Sequence, residues 1–92
     1  MKIGRVVGTV VCSVKDERLT GLKLLVVQEL TIEQARTKTF HVAADTVQAG
    51  NGDLVLFAAG SSARQTEKTT GKAIDCAIIA IVDQVNLVQE LA

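Results

Sequence analysis

The sequence predicts a mainly β protein: a small OB-like closed β-barrel of about five or six strands with one short helix. Three observations predict it. Short runs rich in Val, Ile and Leu recur along the 92 residues. Glycine, Asp, Asn and Ser signals separate those runs, and proline is absent. Several runs carry apolar residues on both faces, the pattern of strands covered on both sides. No internal repeat or linker interrupts the order, so residues 1–92 read as one domain.

Residues 2–14 form the first expected strand. Val6, Val10, Cys12 and Val14 share one side; Ile3, Val7 and Val11 alternate with Arg5, Thr9 and Ser13 on the other. One face would line the barrel, and the other needs a second cover, for which a neighbouring subunit is the simplest source. Lys15-Asp16-Glu17-Arg18 is a polar turn and Gly21 closes it. Residues 22–30 make the second strand, with Leu22, Leu24, Val26 and Leu30 on one face. Residues 31–39 read as a hairpin loop in which 32–36 offers one helical turn, and residues 40–44 as a short third strand.

Asp45 is placed to cap a turn, and Gly50-Asn51-Gly52 to supply the positive φ angles of a tight reversal. Residues 54–59 form the fourth strand, which stops at Gly60. Residues 61–65 follow as a short helix with a serine N-cap. Residues 67–72 read as a polar loop, and residues 74–88 as a long final strand with both faces apolar. The tail, residues 86–92, has too little to pack on locally and is expected to lie across a neighbour.

Composition narrows the function. Formal net charge is zero, whereas nucleic-acid affinity rests on a basic surplus facing phosphates. Two phenylalanines, Phe40 and Phe57, with no Trp or Tyr, make a poor stacking platform for single strands. Nothing approaches the roughly 20 apolar residues of a membrane helix, and Gly4, Arg5, Gly8 and Thr9 break the apolar run a signal peptide needs. No nucleic-acid or membrane partner is expected, and the chain reads as cytosolic. Cys12 and Cys76 are then expected as reduced, buried packing residues.

Chemical motifs fail one by one. Gly60-Ser61-Ser62-Ala63-Arg64 lacks the closing glycine of a nucleophile elbow, and the single histidine, His41, lies within a strand. A serine hydrolase is the weaker rival; an OB-type anion or ligand module at Ser61, Ser62 and Arg64 is the alternative function. Gly71-Lys72 misses the phosphate-loop pattern twice, at Thr66 and Ala73. No Cys or His spacing suits zinc. Asp45, Asp75 and Asp83 border apolar strands, where carboxylates more often cap turns or pair with Arg than catalyse. No catalytic residue, cofactor or metal is expected.

Four segments in collinear order carry a resemblance. Lys2-Ile3-Gly4-Arg5-Val6-Val7-Gly8-Thr9-Val10-Val11, Val42-Ala43-Ala44-Asp45-Thr46-Val47-Gln48-Ala49-Gly50, Gly60-Ser61-Ser62-Ala63-Arg64 and Ile74-Asp75-Cys76-Ala77-Ile78-Ile79-Ala80-Ile81-Val82-Asp83 resemble the bacterial microcompartment vertex proteins. The similarity runs from residue 2 to about residue 85. Two positions depart from it: Gln48 stands where the family usually has a small residue, and Ala73 where a proline often precedes Ile-Asp.

The resemblance implies an OB-type barrel that forms homopentamers. These close the corners of a polyhedral shell beside hexameric shell proteins, in carboxysome-like or ethanolamine- and propanediol-using compartments, without enzymatic activity. Ser61, Ser62 and Arg64 are candidates for subunit contacts or a central opening, and Arg5 and Asp83 for polar pairing across an interface. Asp45, Gly50, Gly52 and Gly60 are the expected structural turns.

Overall fold

The computed structural model describes residues 1–13, 15–71 and 74–88. Val14, Lys72, Ala73 and residues 89–92, on which some of the expectations above fall, lie outside the described residues. Five strands, β1 (Lys2–Val10), β2 (Lys23–Leu30), β3 (Arg36–Asp45), β4 (Leu54–Ala59) and β5 (Cys76–Ile81), close into a barrel in the order β1-β2-β3-β5-β4. All neighbours are antiparallel except β3 and β5, which meet in a short parallel seam at Ala44↔Ala77 and Asp45↔Ile78. Two single 3₁₀ turns, Glu17–Leu19 and Gly60–Arg64, complete the described elements. The expected small barrel is therefore what the chain forms.

The inner face is a run of branched and aromatic side chains that suits a pleated surface. Val6, Leu25, Val27, Val55, Phe57 and Ile78 are each at most 1% exposed. Gly4 makes room for them: a Cβ there would sit 2.5 Å from Val27 Cγ1 and 2.9 Å from Phe57 Cε1. A second apolar cluster lies on the outer face, where Ile3, Leu30 and Leu54 pack with Leu56, Val82 and Val85.

Several boundaries differ from the sequence expectation, each for a local reason. The register of β1 against β2 slips between Val6 and Gly8, so Val7 is an extra residue. Val6 opposes inward Val27, whereas Val10 opposes Leu24 on the other face. Val6 and Val10 thus lie on opposite sides, not on one. β1 also ends at Val10, which leaves Cys12 exposed beyond the sheet rather than buried.

β3 begins at Arg36 and not at residue 40, because β2 pairs with the chain over its whole length, to Leu30↔Arg36. Thr37 helps by donating its hydroxyl to Glu29 O at 2.7 Å. The connecting turn shrinks to residues 31–35, with Gln34 at φ 69° and no helix. β5 ends at Ile81, since its partner β4 runs out: Ile81 opposes Val55, and Val82 N donates to Leu54 O at 2.8 Å.

Candidate functional site

Two turns and one flank of the barrel hold the residues singled out by the sequence. The first turn follows β3. Asp45, almost fully buried, accepts on Oδ1 from Val47 N at 3.1 Å and Ala49 N at 3.2 Å. Lys23 Nζ reaches both Asp45 Oδ2, at 3.8 Å, and Ala49 O, at 3.1 Å. Asp53 Oδ2 accepts from Gly50 N, and Gly52 N donates to Val6 O, tying the reversal to β1. Within Gly50-Asn51-Gly52 only Gly52 takes the left-handed conformation, at φ 88°; the other positive angle of this segment is at Gln48, φ 60°. Arg5 locks the turn from above, donating from Nη1 to Gly52 O at 2.8 Å.

The second turn is Gly60–Arg64. Gly60 has φ 69°, and its N–H donates to Asp75 O at 2.7 Å. Ala63 is fully buried and anchors the turn, while Ser61, Ser62 and Arg64 face outward. The N-cap position is Ala59 and has no side-chain cap bond, so the expected serine cap is not formed. The reason is that Gly60, not a residue further on, already opens the 3₁₀ turn. Arg64 Nη1 donates to Ile74 O at 2.9 Å, holding the turn to the segment that leads into β5. Asp83 stands exposed just past β5, and no ion pair links it to Arg5 among the described residues.

The structure also assembles a cluster that the sequence did not announce. Lys2 Nζ lies 3.0 Å from Glu29 Oε1, and His41 Nε2 lies 3.3 Å from Glu29 Oε2. The His41 ring sits 5.0 Å from Phe57, at the mouth of the core. Lys2, and then His41, hold the Glu29 carboxyl below its ordinary value. These residues are far apart in sequence and converge only through strand register, so no local motif could have shown them. His41 is thereby engaged with Glu29 and not with a serine. Cys76 is packed in the core, where burial, with Asp75 nearby, pushes its thiol up to about 11. No group of three metal-binding side chains occurs among the described residues.

The outer flank is the less finished part. Phe40 and Val42 on β3 are 56% and 53% exposed, and Leu87 and Val88 in the tail stand out in solvent. An apolar groove of about 630 Å³ runs between Ile3, Leu30, Ile32, Leu56 and Val85. Exposed apolar surface of this kind marks contact with another macromolecule. Fold and flank together define a small barrel that meets other chains.

Known proteins agree. The family model described as "Ethanolamine utilisation protein EutN/carboxysome" matches residues 1–83. GrpN, a bacterial microcompartment shell vertex protein of Rhodospirillum rubrum, is 47% identical over 96% of this chain and 99% of its own length. The carboxysome shell vertex protein CcmL of Thermosynechococcus vestitus is 46% identical over 94% of this chain and 87% of its own. Among solved structures, the pentameric GrpN shell protein superposes with a TM-score of 0.86 at 46% identity, covering 95% of this chain and all of that one. CcmL of Gloeobacter violaceus gives 0.91 at 40% identity, over 96% and 91%. The chain belongs to the EutN/CcmL family.

Proposed function

We propose that this chain forms a pentamer that closes the vertices of a polyhedral bacterial microcompartment shell in the cytoplasm, a structural and not a catalytic role. The observation that supports it is the match, over nearly the whole barrel, to a relative solved as a pentamer. The apolar outer flank gives the same reading a physical basis. A five-membered ring of head-to-tail contacts buries different faces of adjacent subunits. Its mechanism is geometric: hexameric shell proteins tile flat facets, and a five-fold piece fills the corner where facets meet. Hexameric shell proteins are therefore its partners besides itself.

Within that ring, exposed Ser61 and Ser62 serve subunit contacts or the central opening, with Arg64 setting the turn that presents them. Arg5 acts on the interface by ordering the 50–53 turn, and Asp83 pairs across it. Mass spectrometry of the native protein tests the reading. A single species of five subunits is expected; a monomer, dimer or hexamer stable across concentration and salt overturns it. Co-expression with a hexameric shell protein tests the corner role by electron microscopy. Closed polyhedra should form with this chain and open tubes or sheets without it. Arg64→Ala should lower the fraction of pentamer, and an unchanged native mass would remove Arg64 from the interface.

A further inference from the structure

We infer that the C-terminal segment of each copy, from Asp83 through Val88, lies along β3 of the next copy in the ring. The inference rests on the pentamer proposed above and names the contact that would hold it. Strand β3 is the acceptor. Among the described residues, from Arg36 to Ala43 it is laddered to β2 alone, because β5 joins it only at Ala44 and Asp45. Among the described residues none pairs with its other edge over that stretch, and a free edge is the usual site for an added strand.

The outward side chains of β3 match what the tail brings. Arg36, Lys38, Phe40 and Val42 alternate on its outer face and all are exposed. Lys38 has no ion pair among the described residues. The tail carries an acid, Asp83, followed by Leu87 and Val88, which are 45% and fully exposed. Residues 84–87 have no regular structure of their own. An acid and two bare apolar side chains thus face two bases and two bare apolar side chains.

Placement decides that the two belong to different copies. Val82 N is tied to Leu54 O on β4, and Val82 and Val85 pack over Ile3 of β1 and Leu54. The tail therefore starts on the β4–β1 flank. Around the barrel, β3 is separated from β1 by β2 and from β4 by β5, so it lies on the far side. Donor and acceptor surfaces on different flanks give a head-to-tail contact that repeats from copy to copy, as the proposed ring requires, not a two-fold dimer.

The test uses the full chain with Cys12→Ser, to remove the exposed thiol, plus Phe40→Cys and Leu87→Cys. Mild oxidation should give a ladder of covalent species up to the pentamer, absent from either single-cysteine chain. A second chain, cut after Val85 to keep its packing on Ile3 and Leu54, should fold but need a protein concentration higher by about ten-fold or more to form pentamers. Asp83→Lys should weaken the ring, and adding Lys38→Asp should restore part of it. A full-length pentamer with no ladder, whose truncated form assembles as well as the parent, overturns the inference and leaves the vertex reading standing. Preferential cross-linking of Leu87→Cys to a hexameric shell protein also overturns it. A full-length chain that is not a pentamer removes both.

Discussion

The two faces of this barrel are finished to different degrees. Inside, Val6, Leu25, Val27, Val55, Phe57 and Ile78 leave almost no surface to water, and among the described residues no buried side-chain polar atom lacks a partner. Outside, the cluster of Ile3, Leu30 and Leu54 remains slightly open, while Phe40, Val42, Leu87 and Val88 are bare. The inner face is complete within one chain; the outer face leaves apolar surface bare, the surface that the proposed ring would cover. A chain of this size has a limited core. It must hold the monomer with the inner face alone if the outer one is reserved for neighbours.

That contrast can be broken first at its strongest point. Phe57→Ala removes the largest fully buried side chain and should cost about 3–5 kcal/mol, enough to abolish most of the stability of a small domain. Denaturant unfolding of the isolated barrel measures it. Gly4→Ala places a methyl within 2.8 Å of Gln28 O as well as against Val27 and Phe57. The β1–β2 ladder must shift to admit it, at about 1–3 kcal/mol by the same measurement. Gly8→Ala, where the nearest atoms are at 3.8 Å, is the control and should be tolerated.

Smaller effects sharpen the boundary between the faces. Arg5→Ala frees Gly52 O and should cost about 1 kcal/mol, seen as faster amide exchange in the 50–53 turn. The Glu29 carboxyl is held below its ordinary value of 4.5 by Lys2 and then His41. Its contribution is therefore present above that value and lost as pH falls through the lower value it has when folded. The pair is partly exposed, so the effect stays below about 1 kcal/mol. The stability of the parent should fall more steeply than that of Glu29→Gln on acidification below about pH 5; parallel curves would show the cluster to be inert. Phe40→Ser should leave the monomer within about 0.5 kcal/mol while loosening the pentamer, read as native mass on dilution. Equal loss of both would erase the distinction between the faces.

Much of the barrel was legible in the chain. Val and Ile runs between Gly, Asn and Asp signals placed β2, β4 and the core of β5 within a residue or two. The Asp45, Gly52 and Gly60 turns were visible because capping and left-handed backbone restrict residue type. Two of the missed boundaries share one reason. The polar stretch 36–39 resembles a loop by composition, yet it pairs with β2; the apolar stretch 82–88 resembles a strand, yet β4 has ended and offers it no partner. Pairing belongs to two segments at once, and a single segment does not display it.

The sequence by itself determined the class of fold, the apolar runs that become strands, the restricted turns and a family resemblance carried by four ordered motifs. These are properties of residue type and local spacing. The tertiary structure alone decided the slip at Val7 that puts Val6 and Val10 on opposite faces, the meeting of Lys2, Glu29 and His41, and the short β3–β5 seam that leaves Arg36 to Ala43 paired with β2 alone among the described residues. Each depends on register between strands distant in sequence, where a shift of one residue reverses every side chain.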